Sequence, residues 1–467
     1  MLAAYRARRP LELCCPGHRG GAQTDVDLLA LLGEGAFVHD VTQVPDIDDL
    51  LHPQGPIAEA QRLAADLWGA RDTHFLVNGT TSGVQAAFLA VCRDGDRVAI
   101  PRACHRSVVE GLILSGAVPV WVDCPIDPCF GCAVPPSPHV LAEAARGARM
   151  VVSTRPTYHG DVAALPWDTP DEGPIRLVDE AWGAHFGLHP HLPVSACRTG
   201  ADLVVNSTHK TAGALSGGSM LHRCSSRVDP DALASAVRLL TTTSPYYGVV
   251  ASLDGARRAL ALHGETRLGS ALAAARRVRA ELSLVDGVDV ADGRRVQQFE
   301  GIAAIDETRL VLSAARRGWS GRALADALRE AVNLEVELAD ARSVIASVSG
   351  ELDGHHAGLL PGAVAAILEK LEPPERPFTG ILASVSPRVA MPPRQAWAAP
   401  YERVALERAV GRVAAEMVCP YPPGMAVVSY GEEITEAVVD TLRALRERGL
   451  RVQGGGDPAL HTLRVVR

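Results

Sequence analysis

The chain has 467 residues, 47% of them apolar and 21% charged, and a formal net charge of −8. This length predicts two or three domains around a large core, and the acidic balance excludes a binder of phosphate backbones, which needs a basic face. The longest apolar runs, such as "VQAAFLAVC", are far shorter than the roughly 20 residues a bilayer crossing requires. No apolar stretch follows the basic "RARR" at Arg6 to Arg9 as it would in a secretory leader, so a cytoplasmic protein is expected.

Residues 1–52 read as an N-terminal arm broken by Pro and Gly. From Pro56, the residues Ile57, Ala60, Leu63, Ala64, Leu67 and Trp68 recur at helical spacing until Gly69 stops them. Short β-like runs follow: "HFLV" (74–77), "RVAI" (97–100), "VPVWV" (118–122), "MVVST" (150–154), "IRLVD" (175–179), "DLVVN" (202–206) and "GSMLH" (218–222). Helical stretches at 83–92, 105–115 and 138–146 lie between them. Short, almost continuously apolar strands that alternate with helices predict an α/β domain with a mostly parallel, doubly wound sheet covered on both faces, here 53–262. Longer helices then begin, "RALADALREAVNLEVEL" (322–338) being the clearest, and predict a small α+β domain over 263–375. The Pro-rich "LEPPERPF" and "MPPRQAW" set off a C-terminal module, 376–467. Cys124, Cys129 and Cys132 are spaced C-x4-C-x2-C, part of an iron–sulfur pattern. A cluster needs a fourth thiolate and a loop built around it, whereas this stretch is a Pro-rich loop after a strand; reduced thiols and no metal are expected.

Ligands of such sheets sit at the carboxyl ends of the strands. After "HFLV" comes "NGTTSG", where Thr80, Thr81 and Ser82 open a helix. That is either a Ser/Thr cap or an anion cup of free N–H groups and hydroxyls. His105, in "RACHRSV", sits at a strand-to-helix junction and is a cap or a ring that can lie flat on an aromatic cofactor. Asp179, in "VDEAWGAH", ends a central strand, where a carboxylate is costly unless it meets a cation; Ala181, two positions on, leaves room beside it. "STHK" then brings Ser207, Thr208, His209 and Lys210 to another strand end.

Of 46 cationic side chains only Lys210 and Lys370 are lysine. A surface ion pair is served equally by arginine. An amine that must attack a carbonyl is not, because guanidinium keeps its proton. Lys370, at a helix end in "AILEKLEPP", is the ordinary case. A phosphate cup, a stacking His, a buried carboxylate and a nucleophilic amine, in that chain order, are what pyridoxal 5′-phosphate (PLP) requires.

The segments "FLVNGTTSG", "CHRSV", "TRPTYHG", "VDEAWGAHFGLHPHLP", "STHKT…SMLH", "TTSPYYGVVASLDGAR" and "CPYPPGMAVVSYGEEIT" resemble the bacterial ornithine/lysine/arginine decarboxylases of the aspartate-aminotransferase fold, fold type I, in their short form. The likeness runs from "PGHRGG" at 16 to "GGGDP" near 457. It implies a Schiff-base role for Lys210, pairing of Asp179 with the pyridine nitrogen, Ala181 and His105 on the two ring faces, and Thr157 near the phenolic oxygen. It also implies a phosphate held by Thr80, Thr81, Ser82, Ser207 and His209, with Thr243 and Ser244 reaching the partner's phosphate in a homodimer or larger homo-oligomer. The chain departs from the family's pattern at Trp182, where His is common, at Arg106, where Lys is usual, at Cys14 and Cys15, and in "HKTAGALSGG" after the lysine.

The expected reaction is loss of the α-carboxylate from a basic amino acid, arginine, lysine or ornithine, with a proton returned to Cα by Lys210 or His209. This would yield an amine for polyamine synthesis. Candidates to read the substrate's distal cation are Asp46, Asp48 and Asp49 in "PDIDDL" and Glu432 and Glu433 in "SYGEEIT", each equally readable as a solvated loop acid. The alternatives are a transaminase or lyase of the same fold, which forms a keto acid in place of CO₂, and a catalytically silent binding homologue.

Overall fold

Seven short apolar runs pair into the central sheet: β1 (Asp72–Leu76), β2 (Arg97–Pro101), β3 (Val118–Val122), β4 (Met150–Thr154), β5 (Ile175–Asp179), β6 (Leu203–Asn206) and β7 (Ser219–Arg223). The structure is a computed structural model that describes residues 1–8, 10–165, 167, 172–373, 387–420, 425–447 and 452–467. The strand order is β1-β7-β6-β5-β4-β2-β3. β7 runs antiparallel to both its neighbours and the other pairings are parallel. All five residues of β5 are buried, because helices cover both faces. Phe75, Val178 and Met220 pack under the helix Pro56–Trp68 and the start of the helix Tyr247–Leu282. Leu177, Val205 and Leu221 pack under the helices Gly79–Val91, Arg106–Ser115 and Pro230–Leu240. Burial on two faces is the reason these strands carry little polar alternation. The helices over Leu177 approach closely: a Cβ at Gly111 would come within 2.6 Å of the Phe88 ring.

The helix from Pro56 stops at Gly69, which adopts φ 82°, as the left-handed stop of a helix requires. Its buried face carries Ile57, Ala60, Ala64 and Trp68 as expected, while Gln61 and Ala65 are buried in place of Leu63 and Leu67. The N-terminal arm holds three short helices, Leu2–Ala7, Val26–Leu32 and Glu34–Val38, and anchors to the large core through Tyr5, Val41, Ile47 and Leu50.

Two sequence boundaries differ from the structure. Position 262 lies inside the 36-residue helix Tyr247–Leu282, because nothing in that Ala-rich stretch breaks the helical period. Its first part, to Leu272, packs into the large core, and Ala271, Ala274, Ala275, Val278 and Leu282 pack into the small one. "RALADALREAVNLEVEL" is not one helix. It runs Gly321–Val332, ends where Asn333 takes φ 54°, and Leu338 already belongs to the strand Leu338–Ala339. The boundary at 375/376 falls outside the described residues. The small domain is an antiparallel sheet in the order Leu338–Ala339, Val344–Ser347, Arg309–Ser313, Asp289–Val290, backed by helices.

The C-terminal module has its own core, Leu406, Val428, Val438, Leu442 and Leu463 among its members. One buried ion pair fastens it to the sheet. Arg102, just past β2, and Glu432 each leave 1% of the side chain exposed. Arg102 Nη2 donates to Glu432 Oε2 at 2.9 Å, Nε donates to the Ala426 carbonyl at 3.2 Å, and the guanidinium lies over the Trp121 ring. The Ser429 N–H donates to the same carboxylate at 2.7 Å. Glu432→Ala strands the Arg102 charge in the interior, which costs about 3–5 kcal/mol. Calorimetry is expected to show a lower unfolding temperature for this variant, with Glu432→Gln in between.

Candidate active site

Loops from the carboxyl ends of β1, β2, β4, β5 and β6 converge on a cavity of about 990 Å³, its open mouth included. Lys210, Asp179, His105, Thr80, Thr157 and Ala181 all line it, so the structure gathers residues spread over more than a hundred positions.

β6 delivers the lysine. Its chain continues through Ser207 into the single helical turn Thr208–Thr211. His209 fixes that turn: its backbone N–H and its ring Nδ1 meet the Gly218 carbonyl at 3.1 and 2.8 Å. Nδ1 therefore carries the proton and Nε2 is left as the acceptor. Burial lowers the pKa of His209 below its ordinary value. Lys210 Nζ makes no hydrogen bond among the described residues. It lies over two rings, 4.4 Å from the centroid of Trp182 and 5.9 Å from that of Tyr158. Desolvation lowers the Lys210 pKa, Asp179 opposes the shift and Arg309 adds to it.

β5 ends on Asp179, whose Oδ1 accepts the Ala181 N–H at 3.1 Å. The next residue, Glu180, is fully buried and turns to the Ser195 hydroxyl and the Ala196 N–H, both at 2.8 Å, with Arg155 at 3.8 Å. His105 is the N-cap of Arg106–Ser115. Its Nδ1 accepts the Ser107 N–H at 3.2 Å, which fixes the ring. Desolvation lowers the His105 pKa.

The helix Gly79–Val91 starts without a side-chain cap, since Asn78 donates instead to the Leu240 carbonyl at 3.1 Å. The Gly79 N–H donates to the Gly217 carbonyl at 2.8 Å, and the Thr80 and Thr81 N–H groups are left open among the described residues; a Cβ built on Gly79 would meet nothing within 4 Å. Thr80 Oγ1 and Ser207 Oγ are 3.1 Å apart, which joins this helix start to the lysine turn. Ser82 donates to the Gly79 carbonyl at 3.0 Å and Thr81 beside it is half-buried. Open amides, two facing hydroxyls and clear space fit a phosphate dianion. Thr157 accepts the Asp161 N–H at 3.2 Å.

Thr243 and Ser244 are exposed and do not line the cavity. The acids expected at the substrate's distal end are not gathered there either. Asp48 caps the helix Pro56–Trp68, accepting from the N–H groups of Gln54, Gly55 and Ile57 at 3.0, 3.0 and 2.7 Å. Asp49 accepts from Gln43 and from the Leu51 N–H. Asp46 pairs with Arg8, Glu432 with Arg102, and Glu433 with Arg388 at 2.9 Å on the surface. In the C-x4-C-x2-C stretch, burial pushes the Cys124 and Cys129 thiols up to about 11.

Sequence reasoning missed other parts of the wall. Met417, Cys419, Met425 and Gln453 of the C-terminal module roof the cavity, and the apolar character of the first three gave no sign of it. His159 lines the cavity with its Nε2 3.3 Å from Asp340. Trp182, noted only as a departure from a family pattern, carries Lys210 on its ring.

Sheet order and site define an enzyme fold of the aspartate-aminotransferase type. The chain belongs to the Orn/Lys/Arg decarboxylase family: the major-domain model of that family matches residues 1–349 and the C-terminal-domain model residues 379–456. It is 34% identical to the arginine decarboxylase of Bacillus subtilis over 483 aligned residues, covering 100% of this chain and 96% of that protein. Its fold is similar to that of the constitutive lysine decarboxylase of Escherichia coli, with a TM-score of 0.81, 23% identity and coverage of 100% of this chain and 81% of that one. A structure of SPT with a PLP internal aldimine has a TM-score of 0.51 and 18% identity, over 66% of this chain and 75% of that one. The protein is a decarboxylase of this family.

Glu180 gives this site a pH signature. Burial raises its pKa from 4.5 to about 7. A raised carboxyl contributes stability that is present below the unfolded value and lost as pH climbs through the folded one, a change of about 3 kcal/mol. Glu180→Gln removes that loss. Urea unfolding is expected to show its advantage over wild type growing by about this amount between about pH 4.5 and about pH 8.

Proposed function

We propose that the chain removes the α-carboxylate of a basic amino acid, arginine first, using PLP held in the cavity described above. The observation that carries the reading is an uncommitted Lys210 amine beside Asp179 at the floor of the cavity. Similarity to an arginine decarboxylase along the whole chain favours arginine over lysine and ornithine. When bound, PLP supplies an aldehyde for the amine and a ring that accepts the electrons left by departing CO₂. The chain supplies the rest. The open amides at the start of Gly79–Val91, with Thr80, Thr81, Ser82, Ser207 and His209, would hold the phosphate. His105 and Ala181 would flank the ring, and Thr157 would serve its phenolic oxygen. Asp179 would keep the pyridine nitrogen protonated and so favour the ring's acceptance of electrons. Lys210, or His209 once its Nε2 has taken up a proton from solvent, returns a proton to Cα, so each turnover consumes one proton.

The same reading makes the enzyme a dimer in which Thr243 and Ser244 complete the partner's phosphate site. Their exposure outside their own cavity supports this. Ten free thiols are consistent with the reducing cytoplasm, and a cationic amine product suits polyamine supply.

Incubation with arginine, lysine and ornithine, with CO₂, amine and keto acid each measured, tests the reading. CO₂ and amine from arginine are expected. Lys210→Ala is expected to abolish turnover, and full activity in that variant would refute the role of the amine. Asp179→Asn is expected to keep its PLP and lose about 10²–10³ in kcat. Thr243→Ala with Ser244→Ala is expected to weaken PLP affinity without changing the subunit mass.

A further inference from the structure

Arg309 opens the small-domain strand Arg309–Ser313 and lies against Trp182, a residue of the cavity wall. It is 2% exposed. Its Nη2 donates to the Tyr158 carbonyl at 2.8 Å, while Nε and Nη1 are buried with no hydrogen-bond partner. The guanidinium carbon lies over the Trp182 ring, 3.9 Å from its centroid, and Lys210 Nζ lies over the same ring at 4.4 Å. The carboxylates close in sequence are bonded elsewhere: Glu307 pairs with Arg276 at 2.7 Å, and Asp306 faces His185 at 3.2 Å and accepts from the Thr308 hydroxyl and N–H, so that it and Glu337 act on Arg309 through charge alone. A buried cation with two unmet donors is costly, and arginine does not escape the cost by losing its proton. The indole, whose ring face attracts cations, returns part of it. The fold thus keeps an expensive fixed charge beside the one lysine that must act as a free base.

We propose that Arg309 is a positioning residue for Lys210: its permanent charge, set on the indole that Nζ shares, disfavours a second cation there and raises the fraction of the lysine present as free amine. The proposal rests on the reading of Lys210 as the residue that condenses with an aldehyde. In that step the N–C bond forms, the carbonyl oxygen leaves as water and nothing is oxidised or reduced. Other charged or titratable groups also act around Nζ. Asp179 and Glu337 favour its protonated form, and Lys210 in turn opposes protonation of His105 and His209. Asp179 is committed to the floor of the site, and Glu337 divides its attraction between Arg309 and Lys210. Arg309 is the cation whose field pushes the other way. Trp182 makes the arrangement possible, since a large π face accepts both groups where a smaller side chain would leave Arg309 unsupported.

Two lysines in the chain make the test direct. The full-length protein freed of cofactor is labelled at trace level with acetic anhydride across a pH series, and peptide mass spectrometry reads Lys210 and Lys370 separately. In wild type the Lys210 midpoint is expected below that read for exposed Lys370. In Arg309→Gln it is expected to rise by about one unit, so that Lys210 labels about tenfold more slowly near neutral pH, and Arg309→Lys is expected to restore it. Should Arg309→Gln fail to fold, Arg309→Met keeps a stem over the indole and carries the same expectation. A parallel pH titration of the absorbance of the PLP adduct is expected to shift in the same order. Equal midpoints for Lys210 and Lys370 in wild type, an unmoved midpoint in the uncharged variants, or no rescue by lysine overturns the proposal. None of these readouts involves substrate. Failure of Lys210 to take up PLP at all would instead strike the assignment of the cofactor lysine.

Discussion

The structure is organised around a single electrostatic constraint: the Lys210 amine sits out of water at the end of a buried sheet, where its charged form is disfavoured. Burial alone moves a lysine in that direction, but the same burial raises the cost of every neighbouring charge. Three neighbouring groups are tied down. Asp179 takes the Ala181 amide, Glu180 is turned away to Ser195 and Ala196, and His209 is tied to Gly218. The parallel strands make this possible because they end together, placing several loop starts and helix N-termini on one edge.

The sheet was legible because strands covered on two faces must be apolar throughout, and seven such runs stood out. The helix Pro56–Trp68 was legible for a related reason, since its stop is a glycine that takes a left-handed conformation. The boundary near 262 was not, because an Ala-rich helix carries no mark where its partners change from one core to another. The run 322–338 misled because helical periodicity continued past Asn333, and only that residue's backbone conformation ends the helix.

The meeting of Lys210 and Asp179 in one cavity was legible from residue type and strand order: one lysine among many arginines, and one aspartate after an apolar strand. The side walls were not. Arg309 follows no motif and arrives from another domain, and Met417, Cys419 and Met425 look like any core residues until the module is docked. The acids in "PDIDDL" showed the reverse problem. Asp48 serves a helix that begins eight positions later, a spacing too long for any local capping pattern to reveal.

The fastening of the C-terminal module bears on how molecules come and go. Met417, Cys419, Met425 and Gln453 form the ceiling of the chamber, and Arg102 is bonded to a carboxylate and to two backbone carbonyls of that module, out of reach of water. Swinging the ceiling aside would expose an ion pair whose separation costs several kcal/mol, a toll on every catalytic cycle. The Arg102–Glu432 pair thus resists any displacement of these four residues away from the sheet.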